Sequence, residues 1–133
     1  MVIAFVQPFM APQVVSALHQ VPGLTGATLS DAHGFGRGRP TDDPTSEVLY
    51  GTAAKVRIEV MVHDDLEDVV VRAIREAAHT GNRGDGKAYV LPVNRAVRIA
   101  TNEEGEDAIC PFHPEEAHAG AGDARARGVR AEA

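Results

Sequence analysis

The sequence contains no tryptophan, a single cysteine and few aromatic side chains, which make up 5% of its 133 residues. One cysteine, Cys110, cannot form an internal disulfide, and it fits a reducing compartment such as the cytoplasm. With so few aromatic residues, a core must be built from Val, Ile, Leu and Ala. The length suits one domain and is too short for two ordinary ones.

Basic residues are also scarce, since 13 Lys and Arg stand against 19 Asp and Glu, for a formal net charge of −6. Nucleic-acid binding needs a basic face, so the composition argues against a nucleic-acid partner. No apolar run approaches the ~20 residues of a membrane-spanning helix, which predicts a soluble chain without membrane insertion. The opening MVIAFVQPFM has no basic residue before its apolar run and predicts a strand rather than a secretion signal.

The hydrophobic pattern changes period several times along residues 1–109. Alternation with period two predicts strands, and apolar residues spaced by three and four predict helices. We expect strands over residues 2–6, 27–33, 55–63, 87–91 and 96–100, and helices over 12–21 and 66–78, the second capped by Asp64 and Asp65. This order predicts an α+β, ferredoxin-like βαββαβ fold with one extra strand.

Two segments fall outside this pattern. Residues 110–133 are rich in Ala, Gly, Arg and Glu without apolar periodicity, and we predict a disordered C-terminal tail after a domain of residues 1–109. Residues 37–54 form a connection between the second and third strands that is long for a hairpin. We interpret this connection as a loop that contacts a partner.

The segment TGNRGDGK, residues 80–87, joins a helix to a strand and contains three glycines and a lysine. Glycines let backbone N–H groups approach an anion, and Lys87 would add a charge for a phosphate. The alternative is a helix end at Gly81 followed by an ordinary Gly-Asp-Gly turn, and spacing alone favours that alternative. A second cluster, GFGRGR at residues 34–39, has no helix after it, which excludes a dinucleotide-binding fingerprint.

Six short motifs in sequence order resemble the PII nitrogen-regulatory family. They are QPF at residues 7–9, GFGR at 34–37, KVRIE at 55–59, TGNRGDGK at 80–87, VRI at 97–99 and EDAI at 106–109. The resemblance covers residues 1–109. It implies a homotrimer of ferredoxin-like subunits that binds ATP or ADP between neighbours and is not an enzyme. It further implies that the long loop acts on a protein target, such as a membrane transporter or a metabolic enzyme.

The resemblance also implies the binding residues. The 80–87 block matches the family's phosphate-binding loop, and Arg98 matches a phosphate-clamping arginine. The base of the long loop would lie at residues 34–37, with its far end at Lys55. The full implied set is Gly26, Thr28, Gly34, Phe35, Gly36, Arg37, Lys55, Glu59, Met61, Gly84, Asp85, Gly86, Lys87 and Arg98.

Several positions depart from the family pattern and suggest a divergent branch. Ala100 replaces a second clamping arginine, so ADP or AMP could compete with ATP. Gln7 replaces a lysine. Gly38 replaces a glutamine that helps to bind Mg-ATP and 2-oxoglutarate, which leaves the need for Mg and the sensing of 2-oxoglutarate open. Tyr50 is a candidate for the uridylylation that some members undergo, and an ordinary partner contact is the alternative.

Two other functions remain as alternatives at this stage. Cys110, His113 and His118 carry metal-ligand atoms, so a metal- or bicarbonate-linked regulator that uses the tail is one of them. The other is a small ferredoxin-like hydrolase. The segment QPFMAPQ after the first strand lacks the arginine that such an enzyme needs there, and no Ser-His-Asp or Cys-His arrangement is visible.

Overall fold

The structure is a computed structural model that describes residues 1–36 and 51–109. Within those ranges it has four strands, three helices and one short 3₁₀ helix. The strands are β1 (Val2–Val6), β2 (Thr28–Gly34), β3 (Ala53–Val60) and β4 (Gly86–Val90). The α-helices are α1 (Ala11–His19), α2 (Asp64–Ala78) and α3 (Glu106–Ile109), and the 3₁₀ helix covers Pro8–Met10.

The four strands form one antiparallel sheet in the order β2-β3-β1-β4. Both β1 and β3 are interior strands, and β4 returns along the free side of β1. This strand order with two packed helices is the ferredoxin-like fold that the sequence predicts. The register pairs Val2 with Val60 on one side of β1 and Val6 with Gly86 on the other.

One face of the sheet packs against α1 and α2 and forms the core. Val2, Ala4 and Val6 of β1 alternate onto this face. The helices contribute side chains spaced by three and four residues, and each buried Val, Leu or Ile stabilises the fold by roughly 1.5–3 kcal/mol. The core comprises Val2, Ala4, Val6, Ala11, Val14, Leu18, Val21, Ile58, Val60, Val70, Ile74 and Ala78.

The other face, which we call the open face, carries the alternate residues. Phe5 is paired directly with Arg57 on β3 and with Lys87 on β4, so the three side chains share this face. The Phe5 ring meets Tyr89 edge-on at 6.5 Å, and the Arg57 guanidinium lies 5.9 Å from the centre of the Phe5 ring. Arg57 also pairs with Glu59.

The prediction of a strand over residues 96–100 is wrong. Val97 makes a single bridge, to Glu104, and the chain turns back between Arg98 and Glu103. Asn102 has a φ of 60° in that turn. The apolar alternation of this segment is typical of a strand, but a strand also needs a partner along its length, and here the partner is only the next few residues.

Smaller differences concern the ends of elements. Strand β3 ends at Val60 rather than at His63, and helix α1 ends at His19 rather than at Val21. The expected cap of α2 is also wrong, because Asp64 and Asp65 lie inside the first turn. There their carboxylates favour the helix through its dipole instead of capping its N–H groups. The 3₁₀ helix at Pro8–Met10 was not predicted.

The tail of residues 110–133 and most of the long connection lie outside the described residues. In the part that the structure describes, no helix combines the length and apolar character needed to cross a bilayer.

Candidate functional site

The loop between α2 and β4, residues 79–86, is organised around the carboxylate of Asp85. The backbone N–H groups of Thr80 and Gly81 donate hydrogen bonds to Asp85 Oδ2 at 2.8 and 3.0 Å, and the Thr80 hydroxyl donates to Oδ1. The Thr80 hydroxyl also accepts a hydrogen bond from the N–H of Asn82. Asp85 therefore satisfies the backbone that follows the end of α2 and closes the loop on itself.

These hydrogen bonds favour the ionised form of Asp85. The bond from the Thr80 hydroxyl lowers the pKa of Asp85 most, followed by the bond from the Thr80 N–H, while partial burial opposes them. His79 Nδ1 lies 3.7 Å from the same carboxylate and lowers the pKa of Asp85 further. The ionised Asp85 carboxylate thus places a negative charge inside the loop, where it accepts hydrogen bonds from the loop's own backbone N–H groups.

Gly84 and Gly86 give the loop a backbone path that other residues would strain. Both have positive φ values, +92° and +116°. At Gly86 the reason is also steric, because a Cβ there would lie 1.7 Å from the carbonyl oxygen of Phe5. The close approach of β4 to β1 begins at this residue.

The carbonyl of Gly84 accepts two side-chain hydrogen bonds from other parts of the chain. Gln7 Nε2 donates at 2.9 Å and Lys55 Nζ at 2.5 Å. Burial lowers the pKa of Lys55, while the nearby charge of Asp85 raises it. The structure thus brings Lys55, expected at the end of the long loop, into contact with the predicted phosphate loop.

Lys87 is the second residue of β4 and an exposed cation next to that loop. Its partner across the strands is Phe5, which places it on the open face. Lys55 pairs with Ala32 and shares the same face as Arg57 and Glu59 of its strand. The loop end of the sheet therefore presents two lysines beside a glycine turn, a combination suited to an anion.

A cleft of about 270 Å³ lies at the other end of β3. Four predicted residues line it: Gly26, Thr28, Glu59 and Met61, together with Thr25 and Ala27. Thr28 pairs directly with Glu59 across β2 and β3. The structure thus brings these four residues together as one surface.

Arg98 belongs with the cleft end. Its Nη2 donates to the carbonyls of Asp107 and Ala108 at the end of α3, and its Nη1 lies 3.3 Å from Glu103. The next carbonyl, that of Ile109, accepts a hydrogen bond from the cleft residue Thr25 at 3.1 Å. Among the described residues, the Arg98 guanidinium contacts α3 and Glu103 and makes no hydrogen bond or ion pair with the 80–87 loop.

The predicted residues therefore form two groups in one chain. Lys55 and Glu59 are four residues apart on one strand, which at about 3.3 Å per residue separates them by ~13 Å. Lys87 and the Gly84–Gly86 turn lie at the Lys55 end of β3. Arg98 lies at the Glu59 end, because α3, which it contacts, is joined by a hydrogen bond to the cleft residue Thr25. Within a single chain the structure thus places Arg98 and Lys87 in different groups.

The base of the long connection lies at the end of β2. Gly34 pairs with Ala53 as the last pair of the β2–β3 ladder, and Phe35 after it is exposed. Gly36 is the last described residue before the gap, so Arg37 and Tyr50 lie outside the described residues. The same holds for Cys110, His113 and His118. Residues 1–36 and 51–109 contain no cluster of three metal-ligating side chains.

Sequence reasoning missed the roles of Gln7, Thr25 and Thr80. Thr80 carried a usable signal, because a threonine just after a helix and five residues before an aspartate can close the loop by side-chain hydrogen bonds. Gln7 and Thr25 had no such signal, since their partners are 77 and 84 residues away.

Comparisons with known proteins agree with one another. The family model for nitrogen regulatory protein P-II matches residues 1–103. A nitrogen regulatory protein P-II from Azospirillum brasilense is 44% identical over 108 residues, covering 80% of this chain and 96% of that protein. One of the same name from Rhodospirillum rubrum is 40% identical over 108 residues, with the same coverage.

A solved structure is similar as well. The crystal structure of Arabidopsis thaliana PII bound to citrate matches with a TM-score of 0.65 and 41% sequence identity. The match covers 80% of this chain and 88% of that chain. The sequence and structure matches thus each cover about four-fifths of the protein.

Proposed function

The chain belongs to the nitrogen regulatory protein P-II family, whose members are regulatory signal transducers and not enzymes, and on that premise we propose that it senses an adenine nucleotide. ATP and ADP are the proposed effectors, with AMP as a competitor. The nucleotide state controls a protein target, such as a membrane transporter or a metabolic enzyme, through the connection between β2 and β3. The single cysteine agrees with action in the cytoplasm.

The observation that carries this proposal is the 80–87 loop. The proposed anion site is made by this loop, which Asp85 closes, and by the two lysines beside it, Lys55 and Lys87. Gly86, where a Cβ has no room, lets the loop backbone enter β4. The cleft lined by Gly26, Thr28, Glu59 and Met61 supplies a separate recess for the base and the ribose.

The separation of the two groups supports a site shared between subunits. Lys87 with Lys55 and Arg98 with Thr25 lie toward opposite ends of β3, so we propose that each nucleotide takes its phosphate loop from one subunit and Arg98 from the next. In a closed ring every subunit can then contribute both halves, one to each neighbour. Arg98 would exchange some of its contacts with α3 for contacts with the phosphate.

The open face supports assembly as a homotrimer. Phe5 and Tyr89 lie on it, and Tyr89 is half exposed. The Nε atom of Arg57 is buried but has no hydrogen-bond partner among the described residues. An acceptor from a neighbouring subunit would satisfy it.

Two measurements on the purified chain test the proposal. Isothermal titration with ATP, ADP and AMP should give saturable binding, and light scattering should give three times the mass of one chain. Titration with divalent metal alone separates this function from a metal-linked regulator. Absence of binding by all three nucleotides, or a stable monomer at micromolar concentration, would contradict it.

A further inference from the structure

The Gly84 carbonyl accepts hydrogen bonds from both Gln7 and Lys55, and the backbone of Gln7 is held in place. Its side chain leaves β1 directly after Val6, which is paired with Gly86. Its own backbone carbonyl accepts the N–H of Met10 at 2.9 Å in the 3₁₀ turn. The backbone of Gln7 is therefore fixed on both sides, and its amide reaches the loop from a rigid element.

The orientation of one peptide group follows from this hydrogen bond. In a planar trans peptide the C=O and the N–H point in opposite directions. Because the Gly84 carbonyl points at Gln7 and Lys55, the N–H of Asp85 in the same peptide points away from them. A peptide flip at this position would reverse both groups, so that the carbonyl took the place of the Asp85 N–H as the group presented on that side of the loop.

We propose that Gln7 is a positioning residue that holds the phosphate loop in its anion-accepting orientation. The proposal rests on the proposed nucleotide function for its ligand, and on the Gln7–Gly84 hydrogen bond for its geometry. Gln7 acts through the loop backbone, without touching the anion.

The shared carbonyl gives Lys55 two roles, since it holds the loop at Gly84 and can also move to bind the anion. A carbonyl oxygen has two lone pairs, and here Gln7 uses one while Lys55 uses the other. When an anion attracts Lys55, the Gly84 carbonyl keeps Gln7 as a partner and is not left unsatisfied. Gln7 therefore lowers the cost of moving Lys55 from the loop to the ligand.

Amide hydrogen exchange on the unliganded full chain tests the positioning role without a nucleotide. Gln7→Leu removes the donor at similar size and should speed exchange at residues 84–86 by roughly 2–10-fold, the range of one net hydrogen bond. Gln7→Lys retains a donor and should restore the parental rate. Gln13→Leu, the same change at an exposed glutamine of α1, should leave the rate unchanged. Equal rates in Gln7→Leu and the parent would overturn the proposal.

ATP titration then tests the role of the shared carbonyl. Gln7→Leu should weaken binding by roughly 2–10-fold, and Lys55→Met should cost less affinity in the Gln7→Leu background than in the parent, because Lys55 is then needed at Gly84. Additive effects, or unchanged affinity despite faster exchange, would refute the positioning role. If the parent bound no ATP, the proposed function would fail, and the exchange comparison would still decide whether Gln7 holds the loop.

Discussion

Gly86 packs so closely against the backbone of Phe5 that a Cβ on Gly86 would be 1.7 Å from the Phe5 carbonyl oxygen. Its φ of +116° is one that L residues rarely adopt. The position therefore requires glycine for two independent reasons, one steric and one conformational. Because β4 begins at this residue, the same contact sets where Lys87 enters the sheet.

Replacing Gly86 by alanine should destabilise the protein severely. A backbone atom stands in the place of the added methyl group, so β4 must move away from β1, and we expect a loss of at least about 2–4 kcal/mol in the free energy of unfolding. Urea denaturation at pH 7 measures it. Gly34→Ala is the matched control, since a Cβ at Gly34 meets nothing within 4 Å. Similar stability losses in the two variants would contradict the steric argument.

Asp85 should make stability depend on pH in the acid range. Its folded-state pKa lies below the ordinary value of 3.8 because Thr80 donates to the carboxylate. The stabilisation is therefore complete above 3.8 and is lost as the pH falls through the folded-state pKa. The stability difference between the parent and Asp85→Asn should be larger at pH 7 than at pH 2.5, measured by denaturant unfolding. Asp31→Asn, on exposed β2, serves as the control, and a difference that does not change with pH would argue against the role of Asp85.

Mixed assemblies test whether the site is shared between subunits. Lys87→Ala and Arg98→Ala should each weaken ATP binding by about 10–100-fold, the effect of a hydrogen bond to a charged group. When the two variants are refolded together in equal amounts, about a quarter of the sites should combine Lys87 of one chain with Arg98 of its neighbour. Calorimetry should then show a minority of sites with parental affinity.

The separately refolded variants, mixed afterwards, are the control for that experiment. If co-refolding restored no tight site, Lys87 and Arg98 would have to act within the same chain or not at all. Parental affinity in both single variants would show that neither residue binds the nucleotide.

Ala100→Arg should strengthen ATP binding more than AMP binding. Ala100 lies in the exposed turn between Arg98 and Glu103, where a longer side chain causes no burial conflict. An added guanidinium near Arg98 can reach the outer phosphates that AMP lacks, and we expect a gain of about tenfold for ATP. Titration of both nucleotides checks it. Ala100→Gln is the uncharged control, and equal gains for ATP and AMP would contradict the proposed phosphate contact.

The fold was predictable from sequence wherever local pattern and burial coincide. Strand β1 follows from a short apolar run and helix α2 from a three-four repeat, and each presents an apolar side to the core. Residues 96–100 are also mostly apolar and yet form only one bridge. A strand requires a neighbour in register, and local composition carries no information about which neighbour is free.

The sequence by itself determined the chemistry of the loop. Glycines at 84 and 86, an aspartate between them and a lysine after them specify a tight glycine turn followed by a cation, because these residue types act through their own backbone and charge. The tertiary structure decided which residues surround it. Gln7 meets Gly84 across 77 positions of sequence only because Val6 is paired with Gly86, and Arg98 is separated from Lys87 because it packs with α3 at the other end of the sheet. Both outcomes depend on strand register and long-range packing, which arise only when the whole sheet is assembled.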